Sequence, residues 1–203
     1  MTHAQDKAIF VDRDGTLNEM VYNETHGLLD SPRRPRQVVA VRDAAAFLKG
    51  GRRLGYRIVV VSNQPGLAKG TLTGKELAAV NVRLAGILAR KGGYWDEFCY
   101  CPHHPKGGKG GVRKYIRGCS CRKPKPGMLL KAAKDLHINL RRSWMVGDGL
   151  NDVEAGKAAG CRTILVTKLK LEQIERFVDI DEARPDFIAA DLGSALRVIG
   201  KGK

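Results

Sequence analysis

Apolar runs and polar breaks follow each other along the 203-residue chain in a pattern typical of alternating strands and helices. Residues 58–61, Ile-Val-Val-Val, form an unbroken apolar run, as expected of a strand covered on both faces of a parallel sheet. Residues 77–88 carry leucine and valine at helical spacing, behind a capping box formed by Thr73 and Glu76. The predicted strands span residues 8–12, 57–62, 95–100, 143–147, 163–166 and 186–189, and the predicted helices 44–54, 75–90, 127–136, 151–159 and 194–198.

This order of elements predicts an α/β fold, an open Rossmann-like parallel sheet with helices on both faces. The length predicts one domain over residues 1–203 that is long enough to bury a core. Such sheets bind ligands beyond the carboxyl ends of their strands, so a site is expected at that edge. Residues 18–38, with prolines at positions 32 and 35, have the least regular pattern and are expected to form a loop beside it.

The first predicted strand runs directly into two carboxylates, Asp12 and Asp14. Side chains alternate along a strand, so both carboxylates are expected on one face, converging on a single cation. Gly15 lets the chain leave the strand sharply, and Thr16 adds a hydroxyl. Because clustered carboxylates repel each other, an oxygen-preferring divalent ion such as Mg²⁺ is the expected partner. A solvated Asp-rich turn is the structural alternative.

The formal net charge of +15 indicates an anionic partner. Residues 106–125 contain eight Lys or Arg and no acid, which suits nucleic acid or a phosphorylated small molecule. Tyr115 is the only aromatic residue in that segment, too few for base stacking, and a solvated basic surface is the alternative. No apolar run reaches the about 18–20 residues of a membrane span. Residues 1–7 lack the apolar core of a signal peptide, so a cytoplasmic location is expected.

Three cysteines and one histidine form a candidate zinc site. Cys101 and His103, followed by Cys119 and Cys121, supply three sulfur atoms and one imidazole as two close pairs. This donor set suits a tetrahedral structural Zn²⁺. The metal would pin a loop at about residues 99–123.

The segment between the two pairs, residues 105–111, is too rich in glycine to pack by itself, and a metal would close that loop. Cys99 lies two residues before Cys101 on a predicted strand, so the two side chains are expected on the same side. Cys99 is therefore a candidate substitute ligand, as is His104. Cys161 is expected to be a small core residue.

Polar residues also follow two further predicted strands. The second predicted strand ends at Ser-Asn-Gln, residues 62–64, and the fourth ends at Gly-Asp-Gly, residues 147–149, which contains Asp148. Arg122 and Lys123 lie in a basic, proline-containing segment just before a predicted helix. Parallel strands bring their carboxyl ends to one edge, so these groups are expected at one site. Carboxylates, a hydroxyl and cations together suit phosphoryl transfer.

These motifs together resemble those of the haloacid-dehalogenase (HAD) superfamily. The matching stretches are Asp-Arg-Asp-Gly-Thr after a strand, Ser-Asn-Gln, a lysine before a helix, and Gly-Asp-Gly-Leu-Asn-Asp, over roughly residues 8–166. The stretches Cys-Pro-His-His-Pro, Cys-Ser-Cys-Arg-Lys-Pro and Pro-Gly-Met resemble its zinc-containing branch, which includes heptose 1,7-bisphosphate and histidinol-phosphate phosphatases. The resemblance implies that no large cap domain covers the active site.

The resemblance further implies a phosphatase with a covalent intermediate. Asp12 would attack phosphorus and become an aspartyl phosphate, while Asp14 would protonate the leaving alkoxide and then activate water. Mg²⁺ would be held by Asp12, the backbone carbonyl of Asp14 and Asp148.

The implied substrate contacts are Ser62, Asn63, Gln64, Arg122 and Lys123. Lys123 would neutralise the transferring phosphate, with Lys125 as the competing candidate, and Arg122 would contact a second anionic group. Asp152 would stand behind the metal ligands or cap the following helix. The zinc loop would shape the entrance to the active site, or the zinc would only stabilise the fold.

Among substrates, the 7-phosphate of D-glycero-D-manno-heptose 1,7-bisphosphate is favoured, because a bisphosphate suits the concentrated positive charge better than histidinol phosphate does. Where heptose enzymes usually carry an Asp-x-Gly-Tyr-like stretch, this chain has Met-Val-Tyr-Asn and a longer insert through Arg36. The alternatives are another phosphorylated metabolite, a nucleic-acid 3′-phosphate, and a basic zinc module that binds nucleic acid without catalysis.

Overall fold

Six parallel strands form one sheet in the computed structural model, which describes residues 6–24, 27–175 and 183–202. The strands of the chain are β1 (Lys7–Val11), β2 (Val21–Asn23), β3 (Leu28–Asp30), β4 (Tyr56–Asn63), β5 (Glu97–Cys101), β6 (Trp144–Gly147), β7 (Arg162–Val166) and β8 (Phe187–Ala189). The α-helices are α1 (Ala44–Arg53), α2 (Gly66–Lys69), α3 (Gly74–Ala89), α4 (Gly127–Asp135), α5 (Leu150–Ala159), α6 (Leu171–Glu175) and α7 (Leu192–Gly200). Short 3₁₀ helices lie at Pro35–Gln37, Arg113–Tyr115 and Leu140–Arg142.

The order of strands in the sheet is β5-β4-β1-β6-β7-β8, and every pairing is parallel. β1 therefore lies between β4 and β6, and the carboxyl ends of the three strands lie side by side at one edge of the sheet. The predicted parallel α/β fold is confirmed. Residues 1–5 of the segment considered for a signal peptide lie outside the described residues. No helix within the described residues has both the length and the apolar composition to cross a membrane.

The sheet separates two layers of apolar packing. Ile9 and Val11 pack with α1, α3 and α7 on one face, while Ala8 and Phe10 pack with α4 and α5 on the other. All four side chains have no exposed surface. Strand alternation thus directs successive residues of β1 into opposite layers. Burial on both faces explains why the central strands carry apolar runs without polar breaks.

Helix α3 forms as its sequence predicts. Thr73 Oγ1 accepts the backbone N–H of Glu76 at 3.2 Å, and Glu76 Oε2 accepts that of Thr73 at 2.8 Å. These two bonds satisfy donors that the first helical turn otherwise leaves unpaired. The buried residues of the helix are the predicted apolar stripe, Leu77, Val80, Leu84 and Leu88.

The structure differs from the prediction between residues 18 and 38. This stretch contains the antiparallel hairpin β2–β3, in which Tyr22 pairs with Leu29, and a 3₁₀ helix. Each hairpin strand has only three residues and carries exposed apolar side chains. Its sequence therefore lacks the longer alternation of apolar and polar residues that would predict a strand. Strand β5 also begins and ends later than the predicted 95–100, so that Cys101 is its last residue.

Candidate active site

Three neighbouring strands of the sheet end at one cleft. Asp12 follows β1, Ser62 lies near the end of β4, and Asp148 follows β6. The parallel pairing of β4, β1 and β6 brings these ends side by side, as the sequence predicts. Lys123 and Asp152 line the same cleft, which has a volume of about 200 Å³. The residues predicted from separate motifs therefore meet at one place.

Lys123 is the buried cation of this cleft, with 3 % of its surface exposed. Its Nζ lies 2.6 Å from Asp12 Oδ1, 2.6 Å from Asp152 Oδ1 and 2.8 Å from the carbonyl oxygen of Val61. Lys125, the competing candidate, is exposed. Of these two lysines, Lys123 is the one whose ammonium contacts the predicted nucleophile.

The electrostatics of the cleft favour an additional cation. Burial raises the pKa of the Asp12 carboxyl, the ammonium of Lys123 opposes this shift, and three neighbouring carboxylates reinforce it. Burial would lower the pKa of Lys123, but the carboxylates of Asp12 and Asp152 outweigh it and raise that pKa. The ammonium of Lys123 contacts Asp12 and Asp152, and Asp148 adds a third carboxylate nearby, so negative charge is left uncompensated. A divalent ion would supply the missing positive charge.

The donor set of the cleft fits such an ion. Oxygens of Asp12, Asp148 and Asp152 all lie within 4.8 Å of one another, a spacing compatible with oxygen ligands of one hard cation. Asp12 and Asp148 are two of the predicted ligands. Asp152 also accepts the backbone N–H of Gly149 at 3.1 Å, so it caps α5 while lying within the carboxylate group.

Asp14 lines the same cleft but is not a member of this group of three carboxylates. Its oxygens receive Arg13 Nε at 3.0 Å, Arg13 Nη2 at 2.7 Å and Gln64 Nε2 at 2.7 Å. The convergence of the Asp12 and Asp14 carboxylates on one cation therefore stays a prediction. β1 ends before Asp12, so strand alternation does not by itself set the directions of these side chains. The backbone carbonyl remains the predicted contribution of Asp14 to metal binding.

Sequence reasoning missed two residues behind Asp14. Arg13 is fully buried, and its Nη1 donates to Asn81 Oδ1 of α3 at 2.7 Å. A charged residue between two aspartates at the end of an apolar strand is a usable signal, because arginine is rarely buried without partners. Asn81 carries no such signal, since its partner lies 68 positions away.

The predicted substrate contacts at the end of β4 also form hydrogen bonds with other residues of the cleft. Ser62 Oγ accepts Gln64 Nε2 at 2.8 Å and lies 3.4 Å from Asp14 Oδ2. Asn63 exchanges two hydrogen bonds with the backbone of Lys123, at 3.0 and 3.1 Å, so its amide holds the basic segment in place. Asn63 and Gln64 thus position other groups of the cleft, and their direct contact with substrate stays a prediction.

Arg122 lies next to the buried lysine but has a different environment. Its Nη1 is buried and has no hydrogen-bond partner among the described residues. An unpaired buried cationic donor is costly, and an anion would satisfy it. This observation suits the predicted contact of Arg122 with a second anionic group.

Gly15 leaves room for the carboxylate of Asp148 at the predicted metal site. A Cβ at this position would lie 2.2 Å from Asp148 Oδ2, and its φ of +93° is one that other residues rarely adopt. Thr16 Oγ1 donates to Asp148 Oδ1 at 2.8 Å. The Gly-Thr pair therefore admits the Asp148 carboxylate and orients it toward the cleft.

The cysteine–histidine cluster forms at the end of β5. Cys101 Sγ lies 3.5 Å from Cys119 Sγ, 3.2 Å from Cys121 Sγ and 3.5 Å from His103 Nδ1. Tetrahedral ligands at zinc bond lengths of about 2.0–2.3 Å stand roughly 3.3–3.8 Å apart, so the cluster fits Zn²⁺ with slight expansion. The cluster brings together all four predicted ligands.

The other sulfur and imidazole candidates lie elsewhere. Cys99 and His104 are not members of the described metal-binding group, and His104 Nδ1 instead contacts the backbone of Lys106. Cys161 is buried in the core, as predicted, and burial raises the pKa of its thiol to about 12.

The glycine-rich part of the loop packs against α2. A Cβ on Gly111 would lie 2.0 Å from the carbonyl oxygen of Ala68, and one on Gly108 would lie 2.3 Å from that of Lys69. Val112 N also donates to the carbonyl oxygen of Leu67 at 3.1 Å. The glycines that suggested a poorly packed segment thus permit close backbone contact. Helix α2 directly follows residues 62–64, so it connects the loop to the predicted phosphate-binding residues.

Comparison with known proteins gives a consistent picture. A HAD-hydrolase-like family model matches residues 120–195. The D-glycero-beta-D-manno-heptose-1,7-bisphosphate 7-phosphatase of Pasteurella multocida is 40 % identical over 80 % of this chain and 82 % of its own length. The Escherichia coli K12 enzyme of the same name is 38 % identical over 79 % of this chain and 78 % of its own.

Solved structures that match nearly the whole chain include one that was determined with bound ligands. It is the D,D-heptose 1,7-bisphosphate phosphatase of B. bronchiseptica, complexed with magnesium and phosphate. The two chains superpose with a TM-score of 0.77 and 27 % identity, over 97 % of this chain and 99 % of the other.

Proposed function

The chain belongs to the HAD superfamily of hydrolases, and on that basis we propose that it is a magnesium-dependent phosphatase for a sugar bisphosphate. The substrate proposed is D-glycero-β-D-manno-heptose 1,7-bisphosphate, with the 7-phosphate removed, as in the names of the relatives. The observation that carries the proposal is the contact of Lys123 Nζ with Asp12 Oδ1 at 2.6 Å, beside Asp14 and Asp148. The continuous sheet supports a single phosphatase domain over residues 1–203.

In the first step Asp12 attacks phosphorus, and the bond between phosphorus and the sugar oxygen breaks. Lys123 holds Oδ1 of the nucleophile, and no donor reaches Oδ2 among the described residues, which leaves that oxygen accessible. Asp14 gives its proton to the departing alkoxide. Ser62 offers a hydroxyl to the phosphate at the end of β4.

In the second step water attacks phosphorus, and the bond to Asp12 breaks. Asp14 takes the proton from that water, which returns both carboxyl groups to their starting states. Arg13 and Gln64 hold Asp14 in place through donors at 2.7 to 3.0 Å. Fixed geometry of this kind lowers the entropic part of the barrier.

Two metals complete the proposal. Asp12, Asp148 and the backbone carbonyl of Asp14 would hold Mg²⁺, which when bound would supply positive charge beside the nucleophile and the phosphate. Cys101, His103, Cys119 and Cys121 would hold Zn²⁺, which would stabilise the loop by tying its two ends together. Because Cys121 directly precedes Arg122 and Lys123, a zinc ion bound by Cys121 would also position these two cations of the proposed substrate site.

The positive charge around Arg122 supports a substrate that carries a second phosphate. Arg122 Nη1 is buried without a partner among the described residues, and residues 106–125 carry eight basic side chains and no acid. A bisphosphate gives these cations a ligand that a singly phosphorylated amino alcohol lacks.

The test is Mg²⁺-dependent phosphate release from a panel of compounds. The panel contains both anomers of D-glycero-D-manno-heptose 1,7-bisphosphate, histidinol phosphate, fructose 1,6-bisphosphate and a 3′-phosphorylated oligonucleotide. Asp12→Asn serves as the control, because it keeps the shape of the side chain and removes the nucleophile. We expect the β anomer to have the highest kcat/KM, with turnover lost in the variant. Preference for another compound would exclude the heptose bisphosphate as the substrate. Turnover unaffected by Asp12→Asn would exclude Asp12 as the nucleophile.

A further inference from the structure

Residues 106–125 carry a set of exposed cations that the phosphoryl-transfer chemistry does not use. Lys123 is buried and Arg122 is half-buried, whereas the other six basic side chains of this segment are exposed. None of the six is ion-paired with a described residue. We call this set the basic face, and its members are Lys106, Lys109, Arg113, Lys114, Arg117 and Lys125.

The basic face lies at the edge of the sheet that holds the cleft. Strand β5 ends at Cys101, and α4 begins at Gly127 and leads to β6, which runs parallel to β5. Because α4 must return to the amino end of the sheet before β6 begins, residues 102–126 lie at the carboxyl edge. Lys123, from the same segment, lines the cleft itself.

The groups that line the cleft do not by themselves attract an anion. Asp12, Asp14, Asp148 and Asp152 line it together with one ammonium, that of Lys123. A phosphate ester that approaches from solution therefore meets negative charge, which one divalent ion would reduce rather than reverse. Exposed cations at the same edge act over a Debye length of about 8 Å at physiological salt, and would offset this repulsion.

The basic face lacks the aromatic groups of a nucleic-acid site. Tyr115 is the only aromatic residue of the segment, and its half-buried ring packs edge-on against His103, with 5.8 Å between centroids. Bases therefore find no stacking platform here. A small anion needs none, because long-range attraction depends on charge and not on contact.

We propose that the basic face steers the anionic substrate toward the cleft and does not contact it in the complex. The inference rests on the proposed function, since it assumes that the substrate is a phosphate ester. Charges that act only at a distance change the association rate and its salt dependence, whereas contacting charges also change the dissociation rate. The basic face therefore raises kcat/KM and leaves kcat unchanged. Because the attraction grows with the charge of the ligand, it favours a bisphosphate over a monophosphate.

The test uses pairs of charge-reversal substitutions at opposite edges of the sheet. Lys109→Glu combined with Lys114→Glu changes the basic face. Arg53→Glu combined with Lys91→Glu is the matched control, because both residues are exposed and the pair makes the same change in net charge. Arg53 ends α1 and Lys91 follows α3, shortly before β4 and β5 begin, so both lie at the amino edge.

The measurement is kcat and kcat/KM for heptose 1,7-bisphosphate at saturating Mg²⁺. Potassium chloride raises the ionic strength from about 10 mM to about 1 M, which shortens the Debye length from about 30 Å to about 3 Å. In the wild type, kcat/KM should fall about tenfold or more over this range while kcat stays constant.

The basic-face pair should lower kcat/KM about fivefold or more at low salt and match the wild type at high salt, with kcat unchanged. The control pair should stay within about twofold of the wild type throughout, because its charges lie beyond the screening distance. A second basic-face pair, Lys106→Glu with Arg113→Glu, should repeat the result, which separates the charge effect from a local folding defect.

Three results would overturn the inference. They are a wild-type kcat/KM that does not respond to salt, a loss in both basic-face pairs that persists at high salt or lowers kcat, and an equal loss in the control pair. Absence of Asp12-dependent phosphate release from the bisphosphate at every salt concentration would instead overturn the proposed function.

Discussion

Arg13 holds both carboxylate oxygens of its neighbour Asp14, with Nε 3.0 Å from Oδ1 and Nη2 2.7 Å from Oδ2. Adjacent residues of a strand point to opposite faces, so this contact requires that β1 has already ended. The guanidinium is itself held by Asn81 of α3. Two residues that do not line the cleft therefore position the proposed proton-transfer group.

Asn81→Ala should lower kcat for the sugar phosphate about fivefold to tenfold, because one hydrogen bond that steadies Arg13 is worth about 1 kcal/mol. The loss should be smaller for p-nitrophenyl phosphate, whose leaving group needs little protonation. Arg83→Ala, an exposed change on the same helix, is the control. Equal losses on both substrates would mean that Asn81 supports only the fold.

Gly15→Ala should weaken Mg²⁺ activation at least tenfold, since the new methyl group would lie 2.2 Å from Asp148 Oδ2. Gly160→Ala provides the matched control. Gly160 has a similar φ of +82°, but a Cβ there meets nothing within 4 Å. The measurement is the Mg²⁺ concentration for half-maximal activity, together with Tm. Equal Mg²⁺ requirements in the two variants would contradict the close contact with Asp148.

Cys101→Ser should abolish bound zinc and lower Tm, because Cys101 contacts the other three ligands of the cluster. Cys99→Ser should keep one zinc per chain, since Cys99 lies outside the cluster. Metal analysis of purified protein separates the two results. Zinc lost from Cys99→Ser, or retained in Cys101→Ser, would refute the ligand set.

Gly111→Ala should retain zinc yet raise KM severalfold, because a methyl group 2.0 Å from the Ala68 carbonyl forces the loop away from α2. Gly118→Ala lies in the same loop, where a Cβ meets nothing within 4 Å, and should behave as wild type. Zinc content and KM are measured together. An unchanged KM in Gly111→Ala would show that contact with α2 does not position the substrate site.

Lys123→Met should lower kcat by about 100-fold or more and also lower Tm, since it leaves Asp12 and Asp152 without their shared cation. Lys125→Met should change neither quantity, because that side chain is exposed. Steady-state kinetics and thermal unfolding test the pair. Activity retained by Lys123→Met would exclude this lysine from charge neutralisation.

Much of the fold and of the site was predictable from local sequence. The run at residues 58–61 and the stripe of α3 have a period set by the backbone, so pattern alone places them. The aspartates at the ends of β1 and β6 were predictable because they directly follow apolar runs that are typical of buried strands. Cys101 and its fellow ligands carry donor chemistry at close spacing, which predicts a cluster without knowledge of the fold.

Contacts between distant segments were not predictable in this way. The Arg13–Asn81 bond and the packing of Gly111 on Ala68 each join residues far apart in the chain. Such contacts depend on how complete elements pack, and no periodicity in the sequence encodes them. The sequence by itself determined which elements form and which side chains carry chemistry. The tertiary structure decided which of those side chains meet, because close packing in three dimensions selects a single set of partners.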